Sequence, residues 1–588
     1  MNNFSIALLV TSILTTIGMA FAVLKHIPAQ EFGIIGFTLV SLCAGVFVKL
    51  RHNINAVYIS LFTFLALGAS YNVHRSLLVV GISGLSLLLI FSVVRTNYQI
   101  FKITGNSVQR FSKSSIWLLP TVLTIMSSWT SSGFGYRKLI YSALHLDAFF
   151  HASLTSMLQR YGVSTTGVDG LQPIHYHDLL HKCVATLANL SGFSPLGIFT
   201  YMHFMVVLPM LFCVFGKLAA SFTDIKKDSL EAIGLTSILI MCFYRVFRIS
   251  GFGDVFMHSE TQGLALGLLF LYVVDTGKAD TSKHSGIRFS LVSATMLLVL
   301  GLLKGPFAIL GLIVAIARLC RLDWNIAFRV SVVFILTAVT ALTLSKYLGG
   351  DSGASFGVFP YAVKSKLYQL VVKYLGSGPL PTLTGIIAHL VIFYLPCIAQ
   401  LIIHRRTRKQ LDLVLTFLLT FSVVFESVVD FDGPNVFWIT CVPVLYSLCW
   451  ISSVLIESKV KYLQSAVMAV FLMGTCYIPG IKRRLERYET KPSTEIVSLV
   501  KHLDTLKTER KSAFNGSALT SRWRLSADPR YFPLMYVALS EHPWTGLVTY
   551  PISNQVEGYG YGELNKNQSH KSVIQIGITI VDDSWSLR

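Results

Sequence analysis

The chain has 588 residues, of which 53% are hydrophobic and only 13% are charged, and its formal net charge is +20. A soluble protein of this length carries far more charge, so this composition, with a mean hydropathy of +0.61, excludes an ordinary soluble globular class. Apolar runs fill most of the sequence, and about 20 apolar residues cross about 30 Å of hydrocarbon. The sequence therefore predicts a polytopic membrane protein.

Apolar segments along most of the chain are predicted as membrane helices. We expect an all-α bundle of about 13 to 15 transmembrane helices, because the segments approach the length that a helical span requires. They lie at 4–24, 32–48, 56–69, 77–94, 116–129, 196–215, 230–244, 262–274, 289–303, 305–317, 326–344, 380–403, 411–429, 436–455 and 463–478. The two segments that flank Lys304-Gly305-Pro306 are either separate spans or one helix that bends at the proline.

Basic residues in the short connections predict which side of the membrane each connection occupies, because lysine and arginine concentrate on the cytoplasmic side. With a cytoplasmic N-terminus, the basic connections all lie inside, at 49–51, 95–113, 217–227, 278–288, 318–321, 405–409 and 459–461. The polar segment 131–195 then lies on the outer face. The positive charge thus reflects topology and contact with anionic lipid headgroups, and it predicts no nucleic-acid partner.

The same patterns divide the chain into four regions. They are N-terminal transmembrane helices at 1–130, an outer-face loop with amphipathic helices at 131–195, the transmembrane core at 196–481 and an extracytoplasmic tail at 482–588. The tail is predicted as a small soluble α/β domain, because a helical pattern follows Ser493 and β-branched runs lie at 546–550 and 573–581.

Helix signals also occur inside the outer-face loop. Apolar residues at helical spacing predict an amphipathic helix over 147–160 that lies along the membrane surface. A second helix is predicted after Pro173 and through Leu187. Ser194 and Pro195 have the residue types of an N-cap and a first helical turn, so the next span should begin there.

Asp147 and His151 are the candidate catalytic pair of this loop, in the run His145-Leu-Asp147-Ala-Phe-Phe-His151. Four residues apart on a helix, they share a face. An aspartate at the membrane surface could act as a general base that takes a proton from an acceptor hydroxyl. The alternative is an acidic residue that stabilises the positive end of the helix dipole.

A second polar run, Pro173-Ile-His175-Tyr-His177-Asp178-Leu-Leu-His181, is a candidate binding site. His177 and His181 lie on one helical face, and Asp178 is three residues before His181. Imidazole and carboxylate groups could hold a divalent metal ion, with His177, Asp178 and His181 as candidate ligands. The same groups, together with His175, could instead hydrogen-bond substrate hydroxyls or a phosphate.

Basic residues in other predicted outer connections are candidate phosphate ligands. Arg245 and Arg248 lie at an outer membrane boundary, where an uncompensated charge is costly. With Lys304, or with the lysines of the predicted outer connection 346–379 (Lys364, Lys366 and Lys373), they could clamp the phosphate of a lipid-linked donor, since guanidinium groups match phosphate oxygens. The alternative is that both arginines snorkel to the interface. Glu260, in the same group of substrate-binding candidates, also has the position of a helix-start residue.

Asp147-Ala-Phe-Phe-His151-Ala, followed by Pro173-Ile-His175-Tyr-His177, resembles bacterial proteins of the C-type (GT-C) glycosyltransferase superfamily, mainly over residues 140–200. The resemblance implies an enzyme of the bacterial inner membrane that moves a sugar from a polyprenyl-phosphate carrier to a cell-surface glycan or lipid acceptor on the periplasmic face. It also implies that Asp147 is the catalytic base or a residue that positions the acceptor or a metal ion.

Two other functions fit the same sequence. A polysaccharide polymerase or ligase would also use basic outer loops to hold a lipid pyrophosphate, and it would join repeat units instead of adding one sugar. A transporter or flippase would move lipid-linked or polar substrates, and this class commonly has inverted repeats and ionisable residues at mid-membrane. The expected partners are a lipid-linked sugar donor, a glycan or lipid acceptor and membrane lipids. The only cofactor that the residues suggest is the divalent metal ion.

Overall fold

The structure is a computed structural model, and helices make up most of what it describes. It describes residues 3–23, 33–41, 56–71, 115–131, 146–167, 173–174, 176–222, 229–249, 260–277, 283–322, 324–345, 354–357, 359–406, 412–431, 437–457, 578–581 and 584–587. The prediction of a helical bundle with apolar helices is confirmed for this part of the chain. The predicted segments 77–94 and 463–478 lie outside the described residues.

The first half of the chain forms ten helices within the described residues. They are α1 (Asn3–Val23), α2 (33–41), α3 (Ala56–Ala69), α4 (Leu119–Ser131, after a 3-10 turn at Ser115–Leu118), α5 (Leu146–Tyr161), α6 (Leu179–Ser191), α7 (Pro195–Met202), α8 (Leu208–Ser221), α9 (Ser229–Ile249) and α10 (Glu260–Thr276). A π-helical turn at His203–Val207 joins α7 to α8. As predicted, α7 begins at Pro195, and the Ser194 side chain accepts a hydrogen bond from the Gly197 N–H.

The second half contains nine more described helices and two short strand pairs. They are α11 (Lys283–Leu303), α12 (Gly305–Leu319), α13 (Ile326–Ser345), β1 (Ala354–Phe356), α14 (Pro360–Lys364), α15 (Lys366–Leu375), α16 (Pro379–Phe393), α17 (Leu395–Arg406), α18 (Leu413–Val428), β2 (Val429–Phe431), α19 (Phe437–Glu457), β3 (Ile578–Val581) and β4 (Ser584–Leu587). β1 pairs antiparallel with β2, with Ala354 opposite Phe431. This pairing joins two connections that the sequence predicts on the outer face.

Four helices among the described residues are long and apolar enough to cross a membrane. They are Pro195–Ser221, Gly286–Leu303, Ile326–Ser345 and Ile439–Glu457, and Pro379–Phe393 with Leu395–Arg405 makes a fifth if that bent pair is one span. Shorter apolar helices accompany them, at Ala7–Ile17, Ser60–Ala69, Leu230–Phe243, Gly305–Leu319 and Leu413–Val428. These helices are consistent with a membrane protein. The total of 13 to 15 spans stays a prediction, because it concerns the whole chain.

Burial separates central helices from peripheral ones. The Pro195–Ser221 span is 82% buried inside the protein, whereas the Ile326–Ser345 span is only 22% buried. α13 presents large apolar side chains such as Ile326 and Phe334 on its open side. An apolar side chain gains nothing from facing water, so the open side of α13 suits contact with lipid.

Helices α11 and α12 form an antiparallel hairpin that turns at Lys304. A Cβ atom at Gly311 of α12 would lie 2.7 Å from the Leu297 side chain of α11. Nearer the turn, a Cβ atom at Gly301 would lie 3.3 Å from that of Ala308. The alternative of a single helix bent at Pro306 is therefore wrong. Proline fits at the start of a new helix, where its missing N–H has no intrahelical partner.

The predicted span at 380–403 is broken at Tyr394. α16 and α17 meet there at an angle of 68°. Pro396 follows two residues later, in the first turn of α17. A proline there supplies no N–H to the turn before it and its ring crowds the preceding backbone, which favours a kink or a break at this position.

The predicted C-terminal α/β domain is not supported. In the tail the structure describes only the antiparallel pair of β3 and β4. Two strands of four residues do not by themselves enclose a hydrophobic core. The helix expected after Ser493 and the strand expected at 546–550 lie outside the described residues.

Candidate functional site

Three separate parts of the chain meet at a cluster of histidines, which we call the histidine cluster (His151, His177, His181 and Lys304). α5 packs against α6 and α7, and α6 also contacts α11. His151 lies in the second turn of α5, and His181 lies in the first turn of α6. Neither α5 nor α6 is among the membrane-spanning candidates, whereas Lys304 directly follows the candidate Gly286–Leu303, so the cluster lies where α6, with α5 packed against it, meets the end of that candidate.

A direct contact between two imidazoles forms the centre of the cluster. His151 Nδ1 lies 2.9 Å from His181 Nε2. Both side chains are buried, with exposed fractions of 7% and 0%. At this distance one ring nitrogen must carry the hydrogen and the other must accept it. At least one ring of the pair is therefore held in a defined tautomer.

Aromatic rings enclose this pair. The Phe199 ring stacks on His151 with 5.8 Å between the centroids, and the Tyr176 ring stacks on His177 at 3.8 Å. Phe150 meets Tyr176 edge to face at 5.2 Å. Such rings keep water away from the imidazoles and strengthen electrostatic interactions between them.

Lys304 brings a cation to the cluster from a distant part of the chain. Its Nζ lies 3.5 Å from His177 Nε2, and only 4% of the residue is exposed. Lys304 has an extended backbone (φ −161°, ψ 103°) between α11 and α12. This turn of the hairpin is what carries the amino group to the loop before α6.

The surroundings keep two of these imidazoles uncharged. Burial is the main cause that lowers the pKa of His177 well below its usual value, and the positive charge of Lys304 lowers it further. Burial likewise lowers the pKa of His181, with His151 as the next cause, while a hydrogen bond to the His177 backbone acts in the opposite direction. Both rings are therefore neutral at pH 7 and can accept protons or hydrogen bonds.

Asp178 has a partner outside the cluster. Its Oδ2 lies 2.9 Å from Lys182 Nζ, one turn along α6. Among the residues that the structure describes, no three of histidine, cysteine, aspartate and glutamate are grouped as ligands of a metal ion. The suggested set of His177, Asp178 and His181 is not such a group.

The remaining candidates are described only in part. Asp147 lies in the first turn of α5, and Arg245 and Arg248 lie in the last turns of α9, but their side chains, like all of His175, are outside the described residues. Glu260 is the first residue of α10, where it is buried. The structure thus unites His151, His177, His181 and Lys304, with Asp178 beside them in sequence.

Sequence reasoning missed the aromatic enclosure. Tyr176 lies between two candidate histidines, so its position was a usable signal. Phe199 has no such signal, because it follows Pro195 in an apolar span and resembles any core residue. No protein-family model, curated protein or solved structure matches this chain. The chemistry of the described residues is therefore the basis for a functional proposal.

Proposed function

We propose that the chain is an integral membrane glycosyltransferase that transfers a sugar from a polyprenyl-phosphate-linked donor to a glycan or lipid acceptor on the outer face of the membrane. The observation that carries the proposal is the buried amino group of Lys304 beside the neutral imidazole of His177. Transfer from a lipid phosphate needs a cation for the departing phosphate, which Lys304 supplies, and a proton acceptor for the attacking hydroxyl, for which α5 carries Asp147 one turn before His151.

Lys304 has the role of stabilising the leaving group. When the bond between the sugar carbon and the phosphate oxygen breaks, its electron pair stays on the phosphate. A cation in a site from which water is excluded stabilises that developing charge more strongly than it would in water. The low exposure of Lys304 supports this role.

Asp147 has the role of general base. The acceptor oxygen forms the new bond to the sugar carbon and releases its proton to the Asp147 carboxylate. Asp147 precedes His151 by four residues in α5, so its backbone lies one turn from the cluster. The bond between His151 and His181 would fix the start of α5 against α6 and so would position Asp147 for the acceptor hydroxyl.

The aromatic rings suit a sugar and protect it from hydrolysis. Tyr176 and Phe199 lie against the imidazoles at the stacking distances given above. A sugar has apolar C–H faces that pack on such rings. Excluding water favours transfer to the acceptor over hydrolysis of the donor.

The test is sugar transfer by the full-length protein in lipid nanodiscs, with polyprenyl-phosphate sugars as donors. Lys304→Met keeps much of the side-chain volume but removes the charge, and we expect transfer to fall by about 10²- to 10³-fold. Lys217→Met is the matched control, since this lysine lies near the end of α8, at the other end of the Pro195–Ser221 span from Phe199 and the cluster, and its replacement should leave transfer nearly unchanged.

Several results would contradict the proposal. Transfer at the wild-type rate by Lys304→Met would remove its main support. Joined repeat units as the product would indicate a polymerase or ligase. Movement of the substrate across liposomes without a new glycosidic bond would indicate a transporter or flippase.

A further inference from the structure

A second buried polar group lies away from the histidine cluster, within the apolar helices. His389 Nε2 lies 2.7 Å from Glu426 Oε1, and both side chains have an exposed fraction of 0%. The Tyr394 hydroxyl donates to the other carboxylate oxygen, Oε2, at 2.8 Å. One carboxyl group of α18 thus binds two side chains of the broken span.

The position of Tyr394 connects this group to the shape of the span. Tyr394 is the residue between α16 and α17, where the chain bends by 68°. Its N–H still bonds to the Leu390 carbonyl at 2.9 Å, so it ends α16. The hydrogen bond from Tyr394 to Glu426 therefore fixes the bend to the neighbouring helix α18.

The surroundings of the group are apolar. The Phe393 ring stacks almost parallel on His389, with 5.7 Å between the centroids. Among the side chains that the structure describes, the titratable groups that face Tyr394 from the adjoining helices are the thiols of Cys397 on α17 and Cys441 on α19. On α15, Tyr368 bonds instead to Thr382. An ionisable pair among apolar helices is costly and marks a functional site by default.

We propose that His389 and Glu426 form a proton-binding site, and that proton occupancy of this site controls the bend between α16 and α17. An imidazole and a carboxyl group at this distance share one proton when the pair has no net charge, either as an ion pair or as two neutral groups. A second proton produces an imidazolium beside a carboxylic acid. The proposal does not depend on the glycosyl transfer reaction.

The second proton changes the hydrogen bond at the bend. A carboxylate accepts through both oxygens, but a carboxylic acid has one accepting oxygen and one O–H group. The imidazolium of His389 donates to the accepting oxygen, so the O–H group faces the Tyr394 oxygen. Tyr394 must then turn its own hydrogen away from Glu426. The bond that fixes the bend to α18 then joins two neutral groups, and because bonds to charged groups are about twice as strong, the bend is held less firmly.

The proposal is tested on the full-length protein in lipid nanodiscs at a series of pH values from about 8 to about 5. Infrared difference spectra report protonation of a buried carboxyl group, and hydrogen exchange reports opening of the backbone around residues 388–398. Glu426→Gln retains the shape and neutrality of the protonated carboxyl. Asp412→Asn is the matched control, because Asp412 is a buried carboxylate at the other end of α18, where it accepts from the Tyr446 hydroxyl and the Leu415 N–H.

We expect a carboxyl band on acidification in the wild type and in Asp412→Asn, and no such band in Glu426→Gln. Exchange around the bend should increase on acidification in the wild type, and in Glu426→Gln it should be high already at pH 8. Two results would overturn the proposal. One is an infrared carboxyl band in Glu426→Gln that is the same as in the wild type. The other is hydrogen exchange around residues 388–398 that depends on pH in the same way in the variant and in the wild type.

A further measurement does not depend on the folding of Glu426→Gln. In the wild type labelled with ¹³C-glutamate, the carboxyl band must move to lower frequency, and His389→Gln must change the pH at which it appears. A band that does not respond to either change excludes His389 and Glu426 as the proton-binding site.

Discussion

His151 and His181 join α5 to α6 through a hydrogen bond of 2.9 Å between Nδ1 of one ring and Nε2 of the other. Each ring lies in the first part of its helix, and the 29 intervening residues bring the two rings together within the segment 131–195. Because the bond needs one donor and one acceptor, protonating both rings destroys it. The integrity of this contact should therefore depend on pH.

The pH dependence of stability follows from the lowered pKa of His181. In the unfolded chain a histidine titrates near pH 6.5, whereas burial keeps His181 uncharged in the folded protein at lower pH. Between these two pKa values the unfolded state binds more protons than the folded state. The contribution of the neutral His181 to the free energy of unfolding is therefore fully present above about pH 6.5 and decreases as the pH falls below that value. The limiting slope is about 1.4 kcal/mol per pH unit for one proton.

Thermal unfolding of the full-length protein in detergent, measured from pH 8 to pH 5, checks this expectation. His181→Asn removes one of the two buried rings whose pKa is lowered, so the dependence below about pH 6.5 should become shallower while the His177 contribution remains. A protein whose stability rises on acidification would contradict the assignment of a neutral His181.

Asp147→Asn tests the proposed general base. The amide has nearly the same shape but cannot take a proton, so sugar transfer should fall by about 10²-fold or more. Unfolding temperature and membrane insertion should stay at wild-type values. Asp275→Asn, near the far end of α10, is the control and should retain transfer. Sugar transfer at the wild-type rate by Asp147→Asn would show that this residue is not the general base.

Gly301→Ala tests the hairpin that carries Lys304. A Cβ atom at Gly301 would lie 2.3 Å from the Thr343 methyl group of α13. We expect a loss of stability of about 1–3 kcal/mol from overpacking, with reduced transfer because the Lys304 turn shifts. Gly36→Ala is the control, since its Cβ atom would meet no atom within 4 Å. If Gly301→Ala and Gly36→Ala have the same free energy of unfolding, α11 and α13 can move apart without a loss of stability, and the expectation is wrong.

Much of the helical fold could be predicted from the sequence, because uninterrupted apolar runs specify both the helix and its ends. The segment predicted at 56–69 is helix Ala56–Ala69, and that predicted at 326–344 is Ile326–Ser345. The loop helix predicted at 147–160 is Leu146–Tyr161. The second loop helix begins at Leu179, later than Pro173 suggested, because the residues before it turn to bring Tyr176 and His177 to the cluster.

The contact between His177 and Lys304 could not be predicted, because 127 residues separate them and periodicity contains no information on which helices become neighbours. The sequence instead suggested Arg245 and Arg248 as companions of Lys304. His389 and Glu426 were visible only as single polar residues in the predicted spans at 380–403 and 411–429. A buried histidine and a buried glutamate in neighbouring spans are a reason to look for a pair, since each needs a partner in lipid surroundings.

Helix α15 packs beside the start of α16. None of its ten residues is buried, and it has lysines and apolar side chains, a composition that lies along the headgroup layer of a bilayer. The Tyr368 hydroxyl bonds to Thr382 of α16, so α15 is held beside the first turn of α16. His389 is seven residues further along the helix, which is about 10 Å. A proton that approaches from the side of α15 thus travels about 10 Å along α16 before it reaches His389 and Glu426.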